Sequence, residues 1–153
     1  MKHLIKHTFT AIFCFFILSC TALAKPDNLQ QAYYNWCASI EKAKGDPQVI
    51  TPYYAPNAVL LPTLSHEVFI NHNDGLVPYF KKFLSHPNLR CTPKTLISHR
   101  YADLGVNSGF YQFTYLDHDK TKTVRARFTF VYEKIDGQWL IVTHHSSLTP
   151  DAK

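Results

Sequence analysis

The 153-residue sequence predicts an α+β domain in which helices come first and a mostly antiparallel sheet follows. Three observations predict it. Apolar residues recur at helical spacing between residues 29 and 43 and again between 76 and 84. The half of the chain after residue 92 is instead rich in Thr, Val, Phe and Tyr and is broken by turn residues. Finally, "IDGQ" at residues 135–138 sets Asp-Gly between two such runs, the dipeptide that suits a two-residue hairpin turn because both central positions need positive φ. A chain that is 46% hydrophobic and 18% charged fits one globular core.

The first 24 residues stand outside that core. "MKHLIKH" is a basic opening, "TFTAIFCFFILSC" an apolar run, and "TALA" before Lys25 ends in the small-residue pattern that a signal peptidase cuts. The expected organisation is a cleaved signal peptide over 1–24 and a single domain over 25–153, exported to the periplasm or secreted. The apolar run is shorter than the roughly 20 residues that span a bilayer as a helix. The alternative is a lipoprotein signal with Cys20 as the lipidated residue. Leu18 fits that pattern less well than Ala22 and Ala24 fit soluble cleavage. Cleavage leaves Cys37 and Cys91, which in an oxidising compartment either form one disulfide or remain buried thiols. It also removes Lys2 and Lys6, lowering the net charge from +5 to +3. No Lys/Arg run is longer than two, so nothing marks a nucleic-acid partner.

The elements follow in order. Asp27 is the expected N-cap of a helix carrying Leu29, Ala32, Tyr33, Trp36, Ile40 and Ala43, which Gly45 ends. A short helical turn opens at Asp46, with Pro47 in its first position and Pro52 and Pro56 limiting it. "NAVLLP" and "HEVFI" read as short strands. "NDGLVPYFKKFLSH" returns to helical spacing from Asn73 or Asp74, with Pro78 in the first turn, where proline is tolerated. Strands over "TPKTLISHRYADLG", "VNSGFYQFTYLDHD", "KTVRARFTFVYEKI" and "QWLIVTHHSSLT" complete the chain.

The hairpin turn fixes an expected register. If Ile135 pairs with Gln138, then Tyr132 faces Ile141, Phe130 faces Thr143 and Phe128 faces His145; on the other face Val131 meets Val142, Thr129 meets His144 and Arg127 meets Ser146. Adjacent histidines on a strand point to opposite faces, so His144 and His145 do not chelate one metal. His66, His72, His86, His99 and His118 lie in no metal-ligand spacing, and no metal or other cofactor is expected. Ser146 and Ser147 sit in no Gly-x-Ser-x-Gly elbow. Acid–base chemistry stays open: His99, Asp103, His144 and His145 are candidate bases, and Tyr53, Tyr79 and Tyr111 candidate donors.

Taken together, "WCASIEKAKGDPQVITPYYAPNAVLLPTLS", "YFKKFL", "RARFTFVYEKIDGQW" and "HHSSLTP" resemble the nuclear transport factor 2-like superfamily, in the bacterial branch similar to the calcium/calmodulin-dependent protein kinase II association domain. The resemblance covers residues 28–150. It implies a cone, with a strongly curved sheet packed on about three N-terminal helices, a pocket between the first helix and the concave face, and self-association through the outer face. The hub branch ends in a His, Ser and Pro motif that an ungapped match lands on His145, Ser147 and Pro150. Its carboxylate-holding arginines match Gln112, Phe130 and Ser146 here. Arg125 or Arg127 could supply the charge instead, with Arg127 nearest His144 and Ser146 in the idealised register. A one-residue bulge would exchange that face for the one bearing Phe128, Phe130 and His145. No Gly-rich loop, "HRD" or "DFG" marks a kinase, and calmodulin is not an expected partner.

Two functions follow as expectations. One is a non-catalytic, self-associating domain (a homodimer or higher oligomer) that holds a small organic ligand among Trp36, Tyr53, Tyr79, Tyr111, Arg127, His144 and His145. The other is a small cofactor-free isomerase, dehydratase or cyclase, like the ketosteroid isomerases, scytalone dehydratase and polyketide cyclases of related cones. Its catalytic candidates are His99, Asp103, Tyr111 and His145.

Overall fold

Helix α1 (Leu29–Ala43) opens the computed structural model, which describes residues 28–150. The signal-peptide stretch, Cys20 and Asp27 lie outside the described residues. Asn28 caps α1, its side chain accepting hydrogen bonds from the Gln30 and Gln31 amides, so the cap sits one residue after the expected Asp27. Two 3-10 turns follow, Pro47–Val49 and Thr51–Tyr53, the first capped by Asp46. Strands β1 (Tyr54–Leu61) and β2 (Phe69–Ile70) come next, then a π-helical turn (His72–Leu76) that runs into α2 (Val77–Phe83). Four long strands complete the fold: β3 (Arg90–Tyr101), β4 (Leu104–Asp117), β5 (Lys120–Ile135) and β6 (Gln138–Leu148). Among the described residues no helix is long and apolar enough to cross a membrane.

The sheet order is β2-β1-β6-β5-β4-β3, and only the β1–β6 pairing is parallel. The fold is therefore the expected α+β cone: a curved, mostly antiparallel sheet packed on an N-terminal helical layer. β1 begins three residues before "NAVLLP" because Tyr54 pairs with Ile141 of β6, a partner distant in sequence. "HEVFI" shrinks to two residues because only Phe69 and Ile70 find partners on β1.

Register breaks bend the sheet. They fall between Tyr54 and Val59, between Pro93 and Thr95, and between Val131 and Tyr132. Pro93 is tolerated because β3 is an edge strand. Just past this break, where Gly109 pairs with Leu96, a Cβ on Gly109 would lie 1.9 Å from the Thr95 carbonyl oxygen, so only glycine permits the close approach there.

The break in the last hairpin corrects the expected register. Ile135–Gln138, Lys134–Trp139 and Tyr132–Ile141 pair as expected, with Asp136 and Gly137 at φ of 50° and 78° in the turn. Val142 is then an extra residue, and beyond it Val131 pairs with Thr143, Phe130 with His144, Phe128 with Ser146 and Arg127 with Ser147. Phe128 and Phe130 thus share the concave face with His144 and Ser146. Arg127 and His145 turn to the convex face.

The core lies between α1 and that concave face. Leu29, Tyr33, Trp36, Cys37, Ile40 and Ala43 are the buried apolar side of α1. Phe128 stacks between Tyr33 and Tyr111 at centroid distances of 4.7 and 4.9 Å. Offset aromatic pairs of this kind add roughly 0.5–1.5 kcal/mol each beyond area burial. Cys37 of α1 and Cys91 of β3 form a disulfide, with Cα atoms 5.4 Å apart. It ties the helical layer to the sheet edge.

Candidate functional site

Alternation along β4, β5 and β6, together with the inward face of α1, brings several polar side chains into the apolar core. His144 projects from β6 just past the Val142 bulge, 4% exposed, with its ring 4.2 Å from Phe130 and 5.4 Å from Trp36. Tyr54 reaches it from the start of β1 and Tyr111 from β4. The Trp36 indole N–H donates to the Tyr54 Oη at 3.0 Å, and the Tyr54 Oη lies 2.8 Å from His144 Nδ1. On the ring's other side Nε2 lies 3.3 Å from the Tyr111 Oη, which donates to the Ser146 Oγ at 2.6 Å. Ser146 in turn bonds the Thr63 hydroxyl.

These bonds have one consistent direction. Trp36 can only donate, so Tyr54 accepts with its oxygen and gives its own hydrogen to Nδ1. His144 is then the neutral tautomer that carries its hydrogen on Nε2 and donates to Tyr111. The opposite tautomer would leave the hydrogen of Tyr54, a residue 1% exposed, with no acceptor. Burial lowers the His144 pKa to about 3, the neighbouring His145 charge adding to the effect. Burial also pushes the Tyr54 and Tyr111 hydroxyls well above the ordinary phenol range. The network is neutral throughout.

Its far end opens on a cavity of about 60 Å³. Walls come from Trp36, from Tyr79, Phe80 and Phe83 of α2, and from Phe113 and Tyr115 of β4. Tyr111, His144, Ser146 and Thr63 form its polar corner, and among the described residues no Asp, Glu, Lys or Arg lines it. A groove of about 480 Å³ adjoins the cavity, lying between the segment after β1 and α2 and sharing Leu64, Tyr79, Phe83 and His86 with it. Among the described residues no three His, Cys, Asp or Glu side chains come together as metal ligands would.

Of the residues picked from sequence, Trp36, Tyr79, Tyr111 and His144 meet at this cavity. Tyr53 does not line it; it ends a 3-10 turn, and Tyr54 takes the inward position as the first residue of the strand. Arg127 is exposed and donates to the Ser147 Oγ at 2.9 Å on the convex face, and His145 is exposed there too. Both expectations are corrected by the Val142 bulge. His99 and Asp103 are likewise exposed, on the edge strand β3 and in the β3–β4 turn, so neither is a buried base. Of the three positions matched to arginines, Phe130 and Ser146 are buried on the concave side and Gln112 is half-buried on the opposite face. The sequence pattern does not single out Tyr54, Ser146 and Thr63 as pocket residues. Alternation does not mark Tyr54 over Tyr53, because Ala55 is buried, Pro56 is exposed and the register breaks between Tyr54 and Val59; the pairing of Tyr54 with Ile141 of β6 sets it inward.

Residues 27–150 match the family model of the calcium/calmodulin dependent protein kinase II association domain. Among solved structures, the chain is similar to a Xanthomonas campestris protein described as such an association domain. Identity is 37%, over 80% of this chain and 86% of that one, with a TM-score of 0.73. It shares its fold with a nuclear transport factor 2-like superfamily protein from Salmonella enterica, at 17% identity over 80% and 89% of the two chains and a TM-score of 0.68. A nuclear transport factor 2-like protein of unknown function from Pseudomonas putida is similar in the same sense, at 17% identity over 81% and 92%, with a TM-score of 0.66. No curated protein matches the chain.

Proposed function

Because the chain belongs to the calcium/calmodulin dependent protein kinase II association domain family, we propose that it is an exported domain that pairs with a second copy through the convex face of its sheet and holds a small molecule on the concave side. One observation carries the pairing: the convex face of β3 and β4 leaves large apolar side chains in solvent. Ile97, Tyr101, Leu104 and Phe110 are 51%, 63%, 51% and 44% exposed. Tyr101 faces Leu104, and Thr95 faces Phe110, so the register gathers these side chains on one surface, with half-buried Val106 and Val131 between them. A patch of this kind marks an interaction surface, and a face that pairs with its own copy suits two-fold symmetry. Export is supported by the signal-like opening of the sequence and by a Cys37–Cys91 disulfide that needs an oxidising compartment.

Light scattering on the chain from residue 25 onward tests the pairing. A dimer is expected at micromolar concentration, and Ile97→Lys combined with Leu104→Lys should give a folded monomer. A wild-type monomer, or a double variant that stays dimeric, would overturn it.

The convergence of buried His144 with two tyrosine hydroxyls favours a second reading, a cofactor-free enzyme that moves protons next to a carbonyl. Both imidazole nitrogens are already engaged, and the candidate bases His99 and Asp103 are exposed elsewhere, which makes binding the better-supported function. Exchange of α-hydrogens of small ketones in deuterated water, seen with the wild type and lost in His144→Phe, would establish the enzyme.

A further inference from the structure

We propose that the cavity selects an uncharged, oxygen-bearing organic molecule, such as an alcohol or phenol on an apolar frame, and rejects carboxylates. This rests on the pocket reading above and names its ligand class. The first ground is the direction of the hydrogen-bond chain. Each step from Trp36 to Tyr54, His144, Tyr111 and Ser146 passes one hydrogen to one acceptor. At the end Ser146 and Thr63 each carry a hydroxyl hydrogen, and only one of these is used in the bond between them. The second hydroxyl hydrogen sits on whichever of the two oxygens accepts, at the cavity wall, with the Tyr111 Oη as the neighbouring protein acceptor that a guest oxygen would replace. The polar corner presents a donor and asks the guest for an acceptor.

The second ground is charge. A carboxylate accepts hydrogen bonds well, but enclosing it demands a countercharge, and among the described residues no Lys or Arg lines the cavity. His144 cannot provide one, since protonation at Nδ1 would put a hydrogen against the hydrogen of Tyr54. His86 stands at the rim, edge-on to Tyr115 at 4.4 Å, and Lys82 and His66 line the adjoining groove beside Glu67, so the groups that could hold an anion lie outside the polar corner. Size then sets the arrangement. A cavity of about 60 Å³ encloses little more than the oxygen-bearing end of a guest. The rest of its frame lies in the adjoining groove, against Leu64, Tyr79 and Phe83, which line both spaces.

Benzyl alcohol, toluene and benzoate share one ring and a one-carbon substituent, so they separate these terms. Titrated at pH 7 and followed by the Trp36 indole and Ser146 amide signals in two-dimensional NMR, benzyl alcohol should bind about 2–10-fold tighter than toluene, the worth of one net hydrogen bond. Benzoate should bind at least about tenfold more weakly than benzyl alcohol. Val124→Phe, which fills the cavity from its β5 wall, should abolish all three responses while the dimer persists. Benzoate binding as tightly as the alcohol overturns the ligand class, and its loss in His86→Gln or in Lys82→Gln would trace the error to the rim histidine or to the groove lysine. Equal affinity for toluene and benzyl alcohol overturns the donor argument. If no probe binds although light scattering shows the dimer, the pocket reading itself fails and self-association survives.

Discussion

The two faces of the β5–β6 hairpin carry nearly the same residue types one position apart, and their physics is opposite. On the concave side His144 and Ser146 are buried and bonded to tyrosine hydroxyls, with Phe128 and Phe130 beside them on β5 against α1. On the convex side His145 is exposed and Ser147 accepts from the exposed Arg127. A neutral, dehydrated network and a wet surface are thus built from neighbouring residues in one strand. The Val142 bulge decides which histidine belongs to which. Residue type alone does not carry function in this hairpin; parity does.

Substitutions that break this contrast should differ in cost. The largest effect is expected from Phe130→Ala, which empties a fully buried ring site beside Trp36 and His144 and should cost about 3–5 kcal/mol in urea unfolding. On the other face, His145→Ala should change stability by no more than about 0.5 kcal/mol. Removing the tie between α1 and β3 comes next. Cys37→Ala with Cys91→Ala opens a link between residues 54 apart and should cost about 2–5 kcal/mol.

Acid should act through the concave histidine. The unfolded chain binds a proton on His144 below its ordinary value of 6.5, whereas the folded chain refuses it down to about 3. The unfolded state therefore binds more protons in that window, and stability falls as pH drops through it, by at most about 1.4 kcal/mol per pH unit for this group. His144→Phe should flatten that part of the profile. At the other end, Tyr54 and Tyr111 stay protonated in the fold while the unfolded chain ionises them near pH 10, so stability falls again above about that pH. The smallest contrast is between the serines. Ser146→Ala leaves the Tyr111 hydroxyl short of its acceptor and should cost about 1–2 kcal/mol, against about 0.5 or less for Ser147→Ala.

Local chemistry made much of this legible in the sequence. The Asp136–Gly137 turn, the apolar stripe of α1, the Asp46 cap and the four long strands each follow from short-range preferences, and each stands where those preferences put it. The helix cap moved by one residue because Asn28 caps as well as Asp27 would. What escaped depends on partners far along the chain. β1 is extended by its pairing with β6, which draws Tyr54 inward in place of Tyr53. The sequence does not place the bulge, because Val142 and Thr143 are both β-branched and either suits a ladder position. An unbulged hairpin would put Arg127 on the face of His144 and Ser146, and His145 on the face of Phe128 and Phe130.

Nitrogen-15 NMR of the histidine side chains, followed from pH 7 down to about 4.5, tests the buried neutral network most directly. One imidazole, assigned as His144 by its loss in His144→Phe, should show an unprotonated Nδ1 and a protonated Nε2 with shifts that stay fixed across the range. If every histidine in the folded protein titrates with a midpoint near 6.5, His144 is in contact with water, and the dry, uncharged cavity does not exist.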